Sequence, residues 1–292
     1  MSLWKKYLLP NSLADALKAY TADPGAVRLI AGGTDLLLDL QQGRQEWVDT
    51  LVDISRIPEL TCLDLRTDYL FIGAGVSLDE IISSPLVRTH AYALYEACSL
   101  IGGPQVRNTA TLGGNVAHAL PAGDGSIALL ALGAQVEIAT LSGIKRMQID
   151  DIFLGPGRSI LTGKAEIMVG FHLLQCQPGE ASAFTRVMRP QGVALPVLNM
   201  AIWLRKQDNR IDDIRIAIGP AGPKPYRARS TENSLRGQSL NTQTIANAKD
   251  KLSNESRFRT SPHRASSAYR LQLSHTLLED SLLVAWQRAE QS

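Results

Sequence analysis

Two glycine pairs, Gly32-Gly33 and Gly113-Gly114, constrain this chain more than any other feature. The first lies between the apolar run Val27-Arg28-Leu29-Ile30 and the apolar Leu36-Leu37-Leu38, a pattern that reads as strand, turn, helix. Glycines at such a turn let the backbone reverse sharply and bring several N–H groups to one point. The helix start adds free N–H groups and a partial positive charge. The segment Ala31-Gly32-Gly33-Thr34-Asp35-Leu36 therefore suits a diphosphate without any lysine. Its plain reading is a tight turn in which Thr34 caps a helix over 35–41.

The second pair belongs to Thr111-Leu112-Gly113-Gly114-Asn115, read as a loop and followed by Pro121 and Asp124. It again offers glycine N–H groups, with Thr111 and Asn115 as side-chain hydrogen bonders and Asp124 as an acceptor for a polyol hydroxyl. Its plain reading is an ordinary loop, with Asn115 in an Asx-turn and Asp124 capping a helix at Ser126. Together, two N–H-rich loops can clamp the adjacent phosphates of a dinucleotide. Four to six hydrogen bonds at ~1.5–3 kcal/mol each are comparable with an association cost of ~4–15 kcal/mol, so burial of a ring completes tight binding. No G-x-G-x-x-G follows any predicted strand, which disfavours a Rossmann domain.

Around these segments the opening reads as a β-α-β unit. It has strands over 5–8, 27–30 and 51–54, a helix begun by the capping box Ser12-Leu13-Ala14-Asp15, and a break at Pro24-Gly25. After Pro58 the pattern changes to short strands and helices: a strand over 70–75, a capped helix from Ser77, a helix over 91–101 stopped by Gly102-Gly103-Pro104, and an apolar helix over 126–132. A hairpin over 135–149 and a strand over 166–174 follow. Beyond a boundary near Cys176, strands over 183–188, 198–205 and 211–218 read as an antiparallel set, and 266–287 carries a helical apolar stripe. This gives two units: 1–176, divided into a β-α-β part (1–57) and a mixed, largely antiparallel part (58–176), and 177–292.

Composition narrows the function. A net charge of +2 gives no reason to expect nucleic acid. No run approaches ~18 apolar residues, so no membrane span is indicated. Lys5-Lys6 is followed by too short an apolar run before Pro10 for a signal peptide. Cys62, Cys98 and Cys176 are far apart and read as reduced structural thiols of the cytoplasm. Three cannot supply the usual four ligands of an iron–sulfur cluster. His90, His263 and His275 have no metal-ligand spacing, and His172 reads as structural. Arg257, Arg259, Arg264 and Arg270 read as a solvated face or a docking surface.

The segments Ala31 to Leu37, Val52-Asp53-Ile54 with Ile57-Pro58-Glu59-Leu60, Ile72 to Leu78, Gly103 to Asn115 with Pro121 and Asp124, Phe153 to Arg158, and Arg264 to Arg270 resemble the FAD-binding subunit of molybdenum hydroxylases of the xanthine dehydrogenase type. The resemblance spans nearly the whole chain. It implies an α+β fold: a two-part FAD-binding domain of the vanillyl-alcohol oxidase class, then a smaller C-terminal α+β domain of the CO dehydrogenase flavoprotein type. It implies FAD held at Ala31, Gly32, Gly33, Thr34, Asp35 and Leu36 and at Thr111, Gly113, Gly114 and Asn115. His118, Asp124 and Leu161 are implied as further contacts. So is a basic residue after Phe184, the choices being Thr185 and Arg186, of which Arg186 carries charge. It further implies a small [2Fe-2S] chain and a large molybdenum-cofactor chain as partners, NAD⁺ or another acceptor, and xanthine or a related N-heterocycle as substrate. A self-contained flavin reductase or oxidase of the same fold, or a scaffold without flavin, is the alternative.

Overall fold

The computed structural model describes residues 3–22, 25–162, 166–189, 195–262 and 264–292; Pro24 and His263 lie outside the described residues. The first sheet is parallel, with Trp4–Leu8 and Val27–Ile30 on either side of Val48–Asp53. Helix Leu13–Ala22 begins where the Ser12 hydroxyl accepts the Asp15 N–H at 3.1 Å. It buries Ala16, Leu17 and Tyr20, which share one helical face, in a core with Val27 and Val52. Because the three strands run the same way, their carboxyl ends share one edge. The chain leaves Ile30 directly into Gly32-Gly33 there.

The second sheet runs Leu63–Leu65, Tyr69–Gly73, Glu166–Leu174, Gln135–Thr140, Gly143–Gln148, with neighbours antiparallel. The Ser77 capping box is complete: its hydroxyl accepts the Glu80 N–H while the Glu80 carboxylate accepts the Ser77 N–H, and helix Leu78–Ser83 follows.

The third sheet is an antiparallel meander of Glu180–Val187, Leu198–Gln207, Arg210–Gly219 and Tyr226–Arg227. Residues 198–204 are all buried, on both faces of the sheet. Met200, Ile202 and Leu204 join the core formed with helices Arg229–Leu235, Thr242–Glu255 and Ser267–Ala289. Ala201 and Trp203, on the opposite face, join the core formed with helices Tyr92–Ser99 and Asp124–Leu132. The nine residues of Asp124–Leu132 are all buried, as a helix that is apolar nearly all round must be. Burying its Ile127, Leu129 and Leu130 stabilises the joint by roughly 1.5–3 kcal/mol each. Helices contributed by the glycine-bearing half thus form one wall of the C-terminal sheet. No helix among the described residues is long and apolar enough to cross a membrane.

Candidate cofactor-binding site

The first glycine segment forms the turn expected. Gly33 takes φ +68°, a conformation natural to glycine. Gly32 lies so close to the neighbouring segment that a β-carbon would fall 1.8 Å from the Thr109 carbonyl oxygen. The helix begins at Leu36, with Asp35 rather than Thr34 as the N-cap residue and no side-chain cap bond. The expected capping by Thr34 is thus incorrect. With no side chain covering the turn, the N–H groups of Gly32, Gly33, Thr34, Asp35 and Leu36 donate to no acceptor among the described residues. A run of free amides at the start of a helix is a receptor for an anion.

The second segment differs from its reading as a loop. It is a short helix, Leu112–Ala117, with Thr111 as N-cap accepting the Gly114 N–H at 3.1 Å. Its other early amides are also engaged: Leu112 donates to Val76 O, Gly113 to Ala74 O at 2.8 Å, and Asn115 to Thr111 O. The expectation that both Gly113 and Gly114 present free N–H groups is corrected here. Docking against 74–76 satisfies these donors from within the chain. Gly113 has another use, since a β-carbon there would meet the Ala74 backbone and side chain at 2.6 Å. Gly114 is exposed, and a β-carbon would meet only the Thr111 hydroxyl. Arg107 donates to the carbonyls of Ile101 and Gly102, fixing the approach to this helix.

Asn115 links this helix to the next. Its Oδ1 accepts the Ser126 N–H at 3.2 Å, the capping role expected of Asp124. Its Nδ2 has no partner among the described residues. Asp124 is the first residue of its helix and is buried, 2.5 Å from Arg186 Nη1 and 2.6 Å from Asn199 Nδ2. Both partners favour the carboxylate, but burial outweighs them and raises the Asp124 pKa. Arg186 Nη2 also donates to Leu100 O. The two expected contacts Asp124 and Arg186 are therefore paired with each other, and the Asp124 oxygens are engaged by Arg186 and Asn199 rather than open to a polyol. Asn199 was missed by the sequence reading. Its only signal is a single amide within the apolar run Leu198 to Leu204.

His118 and Asp35 also meet, at 3.3 Å between Nδ1 and Oδ2. Each perturbs the other: the hydrogen bond raises the His118 pKa and lowers that of Asp35. This pair joins the two glycine segments through side chains, as the contact of Gly32 with Thr109 joins them through backbone. Leu161 lies in the short turn Ile160–Thr162, half-buried against the main core. It follows the hairpin Phe153–Gly155 and Arg158–Ser159, whose Gly157 N–H donates to Ala119 O at 3.1 Å, just past His118.

The donor set fits FAD at one end clearly. Free amides from Gly32 to Leu36 suit a diphosphate, and the open Gly114 surface and the unpartnered Asn115 Nδ2 belong to a helix held against that turn.

The chain matches the family described as the FAD binding domain in molybdopterin dehydrogenase over residues 3–173, and the CO dehydrogenase flavoprotein C-terminal domain over residues 182–285. It is 32% identical over 269 residues to the xanthine dehydrogenase FAD-binding subunit of Escherichia coli O157:H7, covering 91% of this chain and 90% of that one. It is likewise 32% identical to the nicotine 6-hydroxylase medium subunit of Paenarthrobacter nicotinovorans, over 97% of this chain and 98% of the other. Its fold superposes on a chain of the carbon monoxide dehydrogenase of Hydrogenophaga pseudoflava with a TM-score of 0.92 at 28% identity, covering 97% of this chain and 98% of that one. The chain therefore belongs to the FAD-binding medium subunits of the molybdenum hydroxylase family.

Proposed function

We propose that the chain is the electron-transfer subunit of a molybdenum hydroxylase. It collects electrons from [2Fe-2S] clusters of a small companion chain and passes them to NAD⁺ or another acceptor. A large companion with the molybdenum cofactor oxidises the substrate, which we propose to be xanthine or a related N-heterocycle. The observation that carries the reading is the run of free amides at Gly32 to Leu36, in a chain of this family. Two relatives of equal identity are named for xanthine and for nicotine, a purine and a pyridine-bearing compound, which supports the broader class of N-heterocycles.

When bound, FAD supplies a ring that exchanges electrons with donor and acceptor; the residues of the chain hold and orient it. In this proposal the amides of Gly32, Gly33, Thr34, Asp35 and Leu36 take the diphosphate, beginning just after Ala31. Gly114 leaves room beside it, and Asn115 Nδ2 and the Thr111 hydroxyl add polar contacts. The Asp35–His118 pair keeps the two segments in register. The buried Asp124–Arg186–Asn199 group locks the helix that follows to the C-terminal sheet, and Arg186 and Leu161 are the residues we propose beside the ring. Three dispersed cysteines leave the clusters to a companion chain.

Purifying the tagged chain from its source, identifying the bound flavin, and assaying xanthine, nicotinate and nicotine with NAD⁺ or an artificial acceptor tests this reading. FAD, iron–sulfur absorption and oxidation of one heterocycle should travel together, and the chain alone should oxidise none. Turnover by the isolated chain would favour the self-contained flavoenzyme instead.

A further inference from the structure

Asn199 interrupts the buried apolar run 198–204 with an amide that is itself fully buried. It lies opposite Arg186 on one neighbouring strand and opposite Gly219 on the other. Ala201 and Trp203, on the same face, are apolar and join the core formed with helices Tyr92–Ser99 and Asp124–Leu132. An apolar residue at 199 would continue that face, so packing alone does not call for an amide. The amide instead holds two acceptors of the glycine-bearing half at once. Its Nδ2 donates to Ala122 O at 3.1 Å and to Asp124 Oδ1 at 2.6 Å. Turning the amide over would set its oxygen against both acceptors, so its orientation is fixed. Gly219 backs it closely: a β-carbon there would fall 2.9 Å from Asn199 Oδ1 and 2.3 Å from Pro121 O.

The other Asp124 oxygen meets Arg186 Nη1 at 2.5 Å, and both side chains are 5% exposed. Arg186 Nη2 donates to Leu100 O, and its Nε is buried without a partner among the described residues. A carboxylate so placed ionises only with help. Burial raises the Asp124 pKa, and Arg186 and the Asn199 hydrogen bond oppose it. The further titratable group within reach is Cys98, on helix Tyr92–Ser99; burial and the Asp124 charge raise its pKa, so the thiol stays neutral. Arg186 and Asp124 therefore set the charge at this joint. It is zero while the carboxylate is ionised and one positive when it takes a proton. We propose that Asn199, from the C-terminal sheet, is a positioning residue that holds the Asp124 carboxylate on Arg186 and thereby sets the net charge beside the flavin ring. The inference rests on the proposed placement of Arg186 beside that ring. An uncompensated Arg186 favours electrons on a neighbouring ring, because charges in a poorly hydrated joint are weakly screened, whereas a compensated one does so far less. Asn199 acts through Asp124, without touching the cofactor.

The full chain loaded with FAD and reduced alongside a reference dye reads this charge as a redox equilibrium. Asn199→Leu nearly keeps the volume and removes the donor. It should leave Asp124 protonated near neutral pH and raise the reduced-to-oxidised ratio of the flavin by roughly 10-fold, about 30 mV for two electrons. Asp124→Asn should shift the ratio in the same direction. Asn199→Leu added to Asp124→Asn should change it no further, since the amide acts through the carboxylate. A residue that merely ties sheet to helix would lower the melting temperature without producing this pattern. Asn199→Ser, which also lacks the amide donor, carries the measurement should Asn199→Leu fail to fold or to hold flavin. A ratio shifted by Asp124→Asn but not by the Asn199 variant, or an equal shift from that variant with and without Asp124, overturns the assignment. Unchanged ratios in all variants overturn the placement of Arg186 beside the ring together with it. A parent chain that binds no flavin overturns the cofactor reading itself.

Discussion

The two glycine segments look alike in sequence and do opposite things with their backbone donors. At Gly32-Gly33 the turn leaves its amides open, and the helix that follows starts without a side-chain cap. At Gly113-Gly114 the amides are satisfied by Val76, Ala74 and Thr111, and the glycines serve close packing and open surface instead. Glycine content therefore identifies where backbone must come close to something, but not to what. In the first segment the something is the Thr109 backbone and, in the proposed reading, a ligand; in the second it is mostly the chain itself.

Substitutions can separate these roles. The largest effect is expected at Gly32→Ala, where the β-carbon would overlap the Thr109 carbonyl. Backbone must move, costing about 3 kcal/mol at the upper end of over-packing, and flavin content should fall to background. A variant with normal melting and full flavin would show that the segments need not touch. Gly113→Ala meets Ala74 at 2.6 Å and should destabilise the fold by ~1–3 kcal/mol, visible in thermal melting with flavin loss secondary to it. Gly114→Val is the converse case: exposed and nearly free of clashes, it should change apoprotein stability by ~1 kcal/mol or less while preventing flavin retention. Full flavin content in that variant would remove the second segment from the site.

Thr111→Val deletes a helix cap and should cost ~1 kcal/mol in chemical denaturation. The smallest effect concerns the Asp35–His118 pair, whose side chains are 61% and 36% exposed. Its contribution from His118, whose folded pKa is raised, is fully present below the unfolded value of ~6.5 and fades as pH rises through the folded one. Asp35, with its lowered pKa, contributes above its unfolded value of ~3.9 and loses this as pH falls through the folded one. The melting difference between the parent and His118→Asn should therefore shrink towards alkaline pH. A difference independent of pH would show that the pair is not ionic.

Local signals were legible from sequence. The strand over 166–174, the capping box at Ser77 and the antiparallel set beyond 180 follow from residue alternation and short-range caps. The helical state of Leu112–Ala117 was not legible, because two glycines each disfavour helix by ~1 kcal/mol. It is set by Thr111 and by docking on residues 74–76, which only the tertiary fold brings near. Of the candidate site residues, the structure brings Asp35 to His118 and Asp124 to Arg186. Their partners were hidden: Asp124 meets Arg186 across 62 positions, and Asn199 across 75. The burial of Arg270 was likewise invisible to a reading of the clustered arginines as a solvated face or a docking surface.

Amide hydrogen exchange on the apo and FAD-loaded chain tests the central contrast most directly. Amides of Gly32 to Leu36, open in the apo chain, should slow by ~10-fold or more when FAD binds, since each gains an acceptor. Amides of Leu112 to Asn115 should already be slow and change little. Protection that appears at 112–115 while 32–36 stays open would contradict the account, placing the diphosphate on the second segment instead of the first.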